Sequence, residues 1–156
     1  VARTEPNQPL RAGLATVLTP IGVPVESKNF PIDTKTTKQY ILISSQTKQR
    51  FAVSKDCYDY LCSVQIDVNS IFSNGLANAD SNDELEGQIV NQIEGGTLEV
   101  EGFRINEIRF IQSIDLDVST PTMTILRRVI TYQFWLGQIT QDDIVGFPYT
   151  FPFALS

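Results

Sequence analysis

The sequence predicts an α+β fold: an antiparallel β-sheet with a long C-terminal hairpin, packed against two α-helices and followed by an extended aromatic arm. Three observations carry this. Leu10, Leu14, Val17 and Leu18, and later Leu85, Ile89, Val90 and Ile93, recur at helical spacing and form two apolar helix faces. Tyr58, Tyr60, Cys62, Val64, Ile66 and Val68 alternate with Asp59, Leu61, Ser63, Gln65 and Asp67, the period of a strand with one face in a core. Asn106 to Gly137 holds two such runs, broken by Ser119-Thr120-Pro121-Thr122, which reads as an antiparallel hairpin.

Taken in order, the chain opens with a polar stretch to Pro6. Asn7 is a cap candidate and Pro9 suits a first helical turn, so the first helix runs over Gln8 to Leu18, and Pro20 and Gly22 end it. Val23 to Glu26 is a short edge strand, where proline is tolerated. Asn29 to Lys38 reads as a loop and Gln39 to Ser45 as an apolar strand. Gln46 to Gln49 reads as a polar turn, with Arg50 to Ser54 open between strand and loop. The long strand Tyr58–Val68 follows, then a loop from Asn69 to Asp80. Ser81 with Glu84 is a capping-box pattern for the second helix, which Gly95-Gly96 stops. In the hairpin, Ile108, Phe110, Gln112, Ile114 and Leu116 share one face, and the second strand is apolar on both faces, so both need a cover. Past Gly137 the aromatics Phe147, Tyr149, Phe151 and Phe153 fall on alternate positions among Pro148 and Pro152. This arm is extended or polyproline-like. Residues 1–136 are read as one domain and 137–156 as the arm.

At 156 residues, 42% hydrophobic and 19% charged, the chain is sized for one well-packed core. Eighteen acidic against twelve basic residues give a net charge of −6, which argues against a sequence-independent grip on nucleic acid. No apolar window has the length of a membrane span, and no signal-peptide pattern opens the chain.

With no histidine, Ser-His-Asp, Cys-His and His-metal chemistries are excluded within this chain. Cys57 and Cys62 stand at an odd separation, so on one strand they face opposite ways, against a disulfide. Asp115 and Asp117 share one strand face, and Asp67-Val68-Asn69 and Asp80-Ser81-Asn82 resemble the opening of a calcium loop without its glycine and closing glutamate. These acids read as solvated. No catalytic residue, cofactor or metal is expected. Arg127 and Arg128 lie mid-strand and point to opposite faces. They are read either as ion pairs to Asp115 or Asp117 across the hairpin or as subunit contacts. The arm residues Phe147, Tyr149, Phe151 and Phe153 either fold back on their own sheet or cross to a neighbour.

The element order adds a resemblance. Helix one ends in Leu-Thr-Pro-Ile-Gly-Val-Pro-Val-Glu, and the strand Gln-Tyr-Ile-Leu-Ile-Ser-Ser follows. Then come a long strand ending Val-Gln-Ile-Asp-Val, helix two, and a closing strand with Arg127-Arg128 before Val-Ile-Thr-Tyr-Gln-Phe-Trp-Leu. Over Leu10 to Leu136 this layout resembles the tail-terminator (tail-completion) and related neck or tail-connector proteins of tailed bacteriophages. The resemblance implies a non-enzymatic virion protein at the head–tail junction, assembled in the host bacterial cytoplasm. It implies a homo-oligomeric ring of six or twelve subunits. The implied partners are the tail tube protein and the head-side connector or portal, with DNA only passing through the lumen and no membrane. Two other readings stand beside it: a stand-alone ligand- or peptide-binding module, and an enzyme using a metal at Asp115 and Asp117 or near Asp67 and Asp80.

Overall fold

The apolar alternation becomes one mixed β-sheet with two helices on one of its faces. The computed structural model describes residues 4–27, 39–50, 58–73, 80–119 and 123–139. The elements are α1 (Asn7–Leu18), β1 (Val25–Ser27), β2 (Gln39–Arg50), β3 (Asp59–Ser73), α2 (Asp80–Glu94), β4 (Phe103–Asp115), β5 (Val118–Ser119) and β6 (Met123–Gln138). The sheet order is β1-β2-β3-β6-β4, and the two-residue β5 pairs with β6. All neighbours are antiparallel except β1 and β2, which run parallel over Val25–Ser27 and Ile41–Ile43.

α1 forms where Leu10, Leu14 and Leu18 line one side, each fully buried. Leu85, Ile89 and Ile93 do the same for α2. Both stripes close on the sheet residues Ile41, Val64, Ile66, Ile130, Tyr132, Phe134 and Leu136. Each buried Leu or Ile contributes about 1.5–3 kcal/mol of transfer free energy. Polar links fix the layers: Gln92 Nε2 donates to the Val17 carbonyl at 3.0 Å, and Gln46 Nε2 donates to the Asn7 carbonyl at 2.9 Å. Gly13 permits the closest approach. A Cβ there would collide with the Glu99 carbonyl oxygen, so α1 and the 97–101 strap touch through backbone.

Several boundaries differ from expectation. Asn7 is the first helical residue and not the cap; the Glu5 carboxylate accepts the Gln8 N–H instead, at 3.0 Å. Burial pushes the Glu5 carboxyl up, but Lys48 and the backbone N–H groups of Asn7 and Gln8 outweigh it and hold it below the usual range. α2 starts at Asp80, so Ser81 lies inside the helix and does not cap it. Gln46–Gln49 is not a turn, because β2 continues to Arg50 opposite Tyr60. β3 likewise continues through Asn69 to Ser73, because β6 is long enough to pair with it down to Met123.

The faces within β4 also differ. Its register slips between Ile105 and Glu107 and again between Phe110 and Gln112. Each bulge turns the following residues over. Ile108 and Phe110 thus share a face with Ser113 and Asp115, while Gln112 and Ile114 take the other. β4 ends at Asp115, so Asp117 does not share a strand face with it. A third bulge between Ile43 and Ser45 brings Gln46 to the helix side, under α1.

Candidate functional site

Arg127 and Arg128 sit on opposite faces of β6, as their adjacency requires. Arg128 is on the helix side, with its side chain 13% exposed. Its Nε donates to Asp115 Oδ1 at 2.7 Å, and its Nη1 donates to Asp83 Oδ1 at 2.6 Å and to Glu86 Oε1 at 3.3 Å. Ser113 Oγ donates to the same Glu86 oxygen at 2.7 Å. One guanidinium thus ties β4, β6 and α2 together. The hydrogen bond to Asp115 and that to Asp83 raise its affinity for a proton further, against the opposing effect of burial. The ion pair to Asp115 follows from their direct register. The contacts to Asp83 and Glu86 are three residues apart on one helix face and come from the tertiary fold.

Arg127 lies on the face away from the helices, with its side chain 38% exposed. Its Nε at 2.8 Å and Nη2 at 2.7 Å both reach Asp67 Oδ2. Ser44 Oγ donates to Asp67 Oδ1 at 2.8 Å. Asp67 is therefore buried and paired, contrary to the solvated reading. Asn69 is buried too, and Asn82 is buried where Ser70 Oγ donates to its Oδ1 at 2.5 Å and its Nδ2 donates to the Leu126 carbonyl at 2.9 Å. Tyr40 nearby has its phenol pushed up, by burial first and by the Asp67 charge second, with Arg127 opposing. Each acid in the two arginine clusters has an organic cation at its centre, and among the described residues no group of three or more acidic or cysteine side chains is arranged to hold a metal ion.

Other buried polar groups are structural. Tyr132 Oη donates to Glu94 Oε2 and Trp135 Nε1 donates to Asp59 Oδ2, at 2.7 and 2.8 Å. Cys62 is buried as a free thiol, and burial pushes it up to about 11, so it is inert near neutral pH. Cys57 lies outside the described residues.

Two surfaces remain open. β4 is an edge strand, exposed at every position from Arg109 to Asp115. Phe110, Ile111, Ile114 and the following Leu116 are 39–46% exposed; the strand has no proline or lysine, and its edge is interrupted by the two bulges and by Glu107 and Arg109. The other surface is a cleft of about 870 Å³ between α1, the 97–101 strap and the start of β4. The sequence pattern hides it, because it forms only where Gly13 lets the strap cross α1. The four expected arm residues Phe147, Tyr149, Phe151 and Phe153 lie outside the described residues.

No family model matches the chain, and no curated protein matches it. Among solved structures it is similar to a chain from the virion of a native gene transfer agent particle. The TM-score is 0.59 and the identity 16%, over 84% of this chain and 90% of that one. At that identity the likeness is one of fold.

Proposed function

We propose that this chain is a non-enzymatic structural subunit of a phage-like particle, assembled as a head-to-tail ring at the head–tail junction. The observation that supports it is the fold shared with a chain of the gene transfer agent virion, at a TM-score of 0.59 over most of both chains. The open β4 edge agrees with it. A long edge strand with Phe110, Ile111 and Ile114 exposed along it and Leu116 just past its end offers a pairing surface for another chain between its two bulges and beyond them. On one rim the ring meets the tail tube, and on the other a head-side connector or portal. An acidic subunit of net charge −6 leaves DNA free to slide through the lumen. Of the two arginines, Arg127 is the more available to a neighbour, since Arg128 is enclosed by three carboxylates.

Light scattering across concentration, with negative-stain imaging, tests this reading. Closed rings of six or twelve copies are expected. A strict monomer that also fails to assemble on purified tail tubes would sink it. A stand-alone binding module is the second reading, favoured by the 870 Å³ cleft, and it predicts that monomer.

A further inference from the structure

Resting on the ring reading, we infer that the cleft between α1 and the 97–101 strap seats the aromatic C-terminal segment of a second copy of this chain. The cleft is lined by Pro9, Thr16 and Pro20 of α1 and its following turn, by Leu98 and Val100 of the strap, and by Phe103 of β4. Leu98, Val100 and Phe103 give the groove an apolar floor, 4–7% exposed, with the more accessible Pro9, Thr16 and Pro20 beside it, a surface that suits an extended apolar segment. Lengths agree: Pro9 to Pro20 spans about 16 Å at the helical rise, and Phe147 to Phe153 about 19 Å as polyproline II. Charge agrees as well. Residues 144–156 carry no charged side chain, so the Glu99 and Glu101 carboxylates beside the groove meet no opposing or repelling group.

The place where the chain leaves the sheet points to a neighbour's cleft. The Ile139 N–H donates to the Gly102 carbonyl at 2.9 Å, one step past the Phe103–Gln138 pair, so at Ile139 the chain still runs in the direction of β6. Glu101 and Phe103, on either side of Gly102, line the cleft mouth. The Val100–Phe103 bridge folds the strap back beside β4, so the cleft lies behind the end of β6. The spacer from Ile139 to Phe147 reaches about 26–29 Å when extended, beyond the radius, about 19 Å, of a compact domain whose radius of gyration is about 15 Å. That length carries the aromatic stripe to the equivalent cleft of the adjacent copy, and repetition of the contact gives a head-to-tail closed set.

The test uses the full-length chain with p-benzoylphenylalanine at Phe151, irradiated after assembly and mapped by mass spectrometry, with light scattering on the same sample. The expected result is an interchain adduct to α1 or to residues 97–101. Thr16→Arg, at an exposed helical position, should abolish the adduct and shift the assembly to smaller species while the circular dichroism spectrum is unchanged. Phe151→Ser should weaken assembly from the other side of the contact. Rings whose adduct maps elsewhere overturn the cleft and leave the ring standing. Monomers that also fail to assemble on purified tail tubes, with the adduct within one chain, overturn both.

Discussion

Arg127 sets two N–H donors, Nε at 2.8 Å and Nη2 at 2.7 Å, on a single carboxylate oxygen of Asp67, on the sheet face that carries no helix. The two residues are diagonal neighbours, since Asp67 is opposite Val129 and Arg127 is opposite Asn69. Asp67 is almost wholly buried, so its partner decides whether its charge is tolerated. Arg127→Ala should destabilise the chain by about 2–3 kcal/mol, less than a fully enclosed pair because Arg127 is partly exposed. Replacing both residues by leucine should cost less than the single change. Urea unfolding measures both, and a single-variant loss below about 0.5 kcal/mol, the ordinary surface range, would refute the assignment.

Arg128 sets its single positive charge among three acids, so its removal leaves Asp83, Glu86 and Asp115 facing one another. In the native chain Glu86→Gln should destabilise slightly, through the lost charge on Arg128. In an Arg128→Ala background the same change should stabilise, because it relieves like-charge repulsion. The sign reversal is read from denaturant midpoints in a double-mutant cycle. The same sign in both backgrounds would show that Arg128 acts by packing alone.

Alkaline pH should weaken the fold before it changes the surface. The Cys62 thiol is pushed up to about 11 by burial, and the Tyr132 phenol is raised by burial and by the Glu94 carboxylate that accepts its proton. Both have folded values above their unfolded ones. Their stabilisation is therefore complete below the unfolded thiol range and is lost as pH rises toward and through 11. Melting temperature should fall steadily from pH 9 to pH 11, and Cys62→Ala should flatten part of that slope. An unchanged slope would mean that the thiol titrates as if unfolded.

The free edge of β4 gives a prediction with no stability cost. Ile111→Lys and Ile114→Lys place a charge on exposed positions of the edge strand. Stability should stay within about 0.5 kcal/mol. Assembly measured by light scattering should drop, because a lysine on an edge blocks strand pairing. Unaltered rings would remove β4 from the interface.

Both helices were legible in the sequence to within a residue or two, because Leu10–Leu14–Leu18 and Leu85–Ile89–Ile93 have no competing period. β6, and β3 as far as Val68, were legible from their alternation, while the continuation of β3 from Asn69 to Ser73 was read as a loop. What escaped were the bulges at Ser44, Asn106 and Ile111. None is marked by glycine, and each shifts a face by one residue, which rearranged the reading of Gln112 and Ile114. Asp67 looked like an exposed acid because its partner lies 60 positions away. The parallel placement of β1 follows from long-range pairing and has no local signature. The two arginines lie on opposite faces as expected; the ion pair across the hairpin, left open between the two arginines and between Asp115 and Asp117, is made by Arg128 to Asp115, while Arg127 pairs with Asp67.

The order of the strands bears on how the chain is made. Among the described residues β6 is the last long strand in sequence, yet it lies between β3 and β4 and pairs with both along most of their lengths. While the polypeptide is still emerging from the ribosome, β3 has only β2 to pair with, and its other edge waits open for a strand that has not yet been translated. The sheet therefore completes only once β6 has been made, since its central pairings are separated by tens of residues. A chain stopped before residue 123 would present the inner edges of β3 and β4 to other chains, and aggregation would be its expected fate.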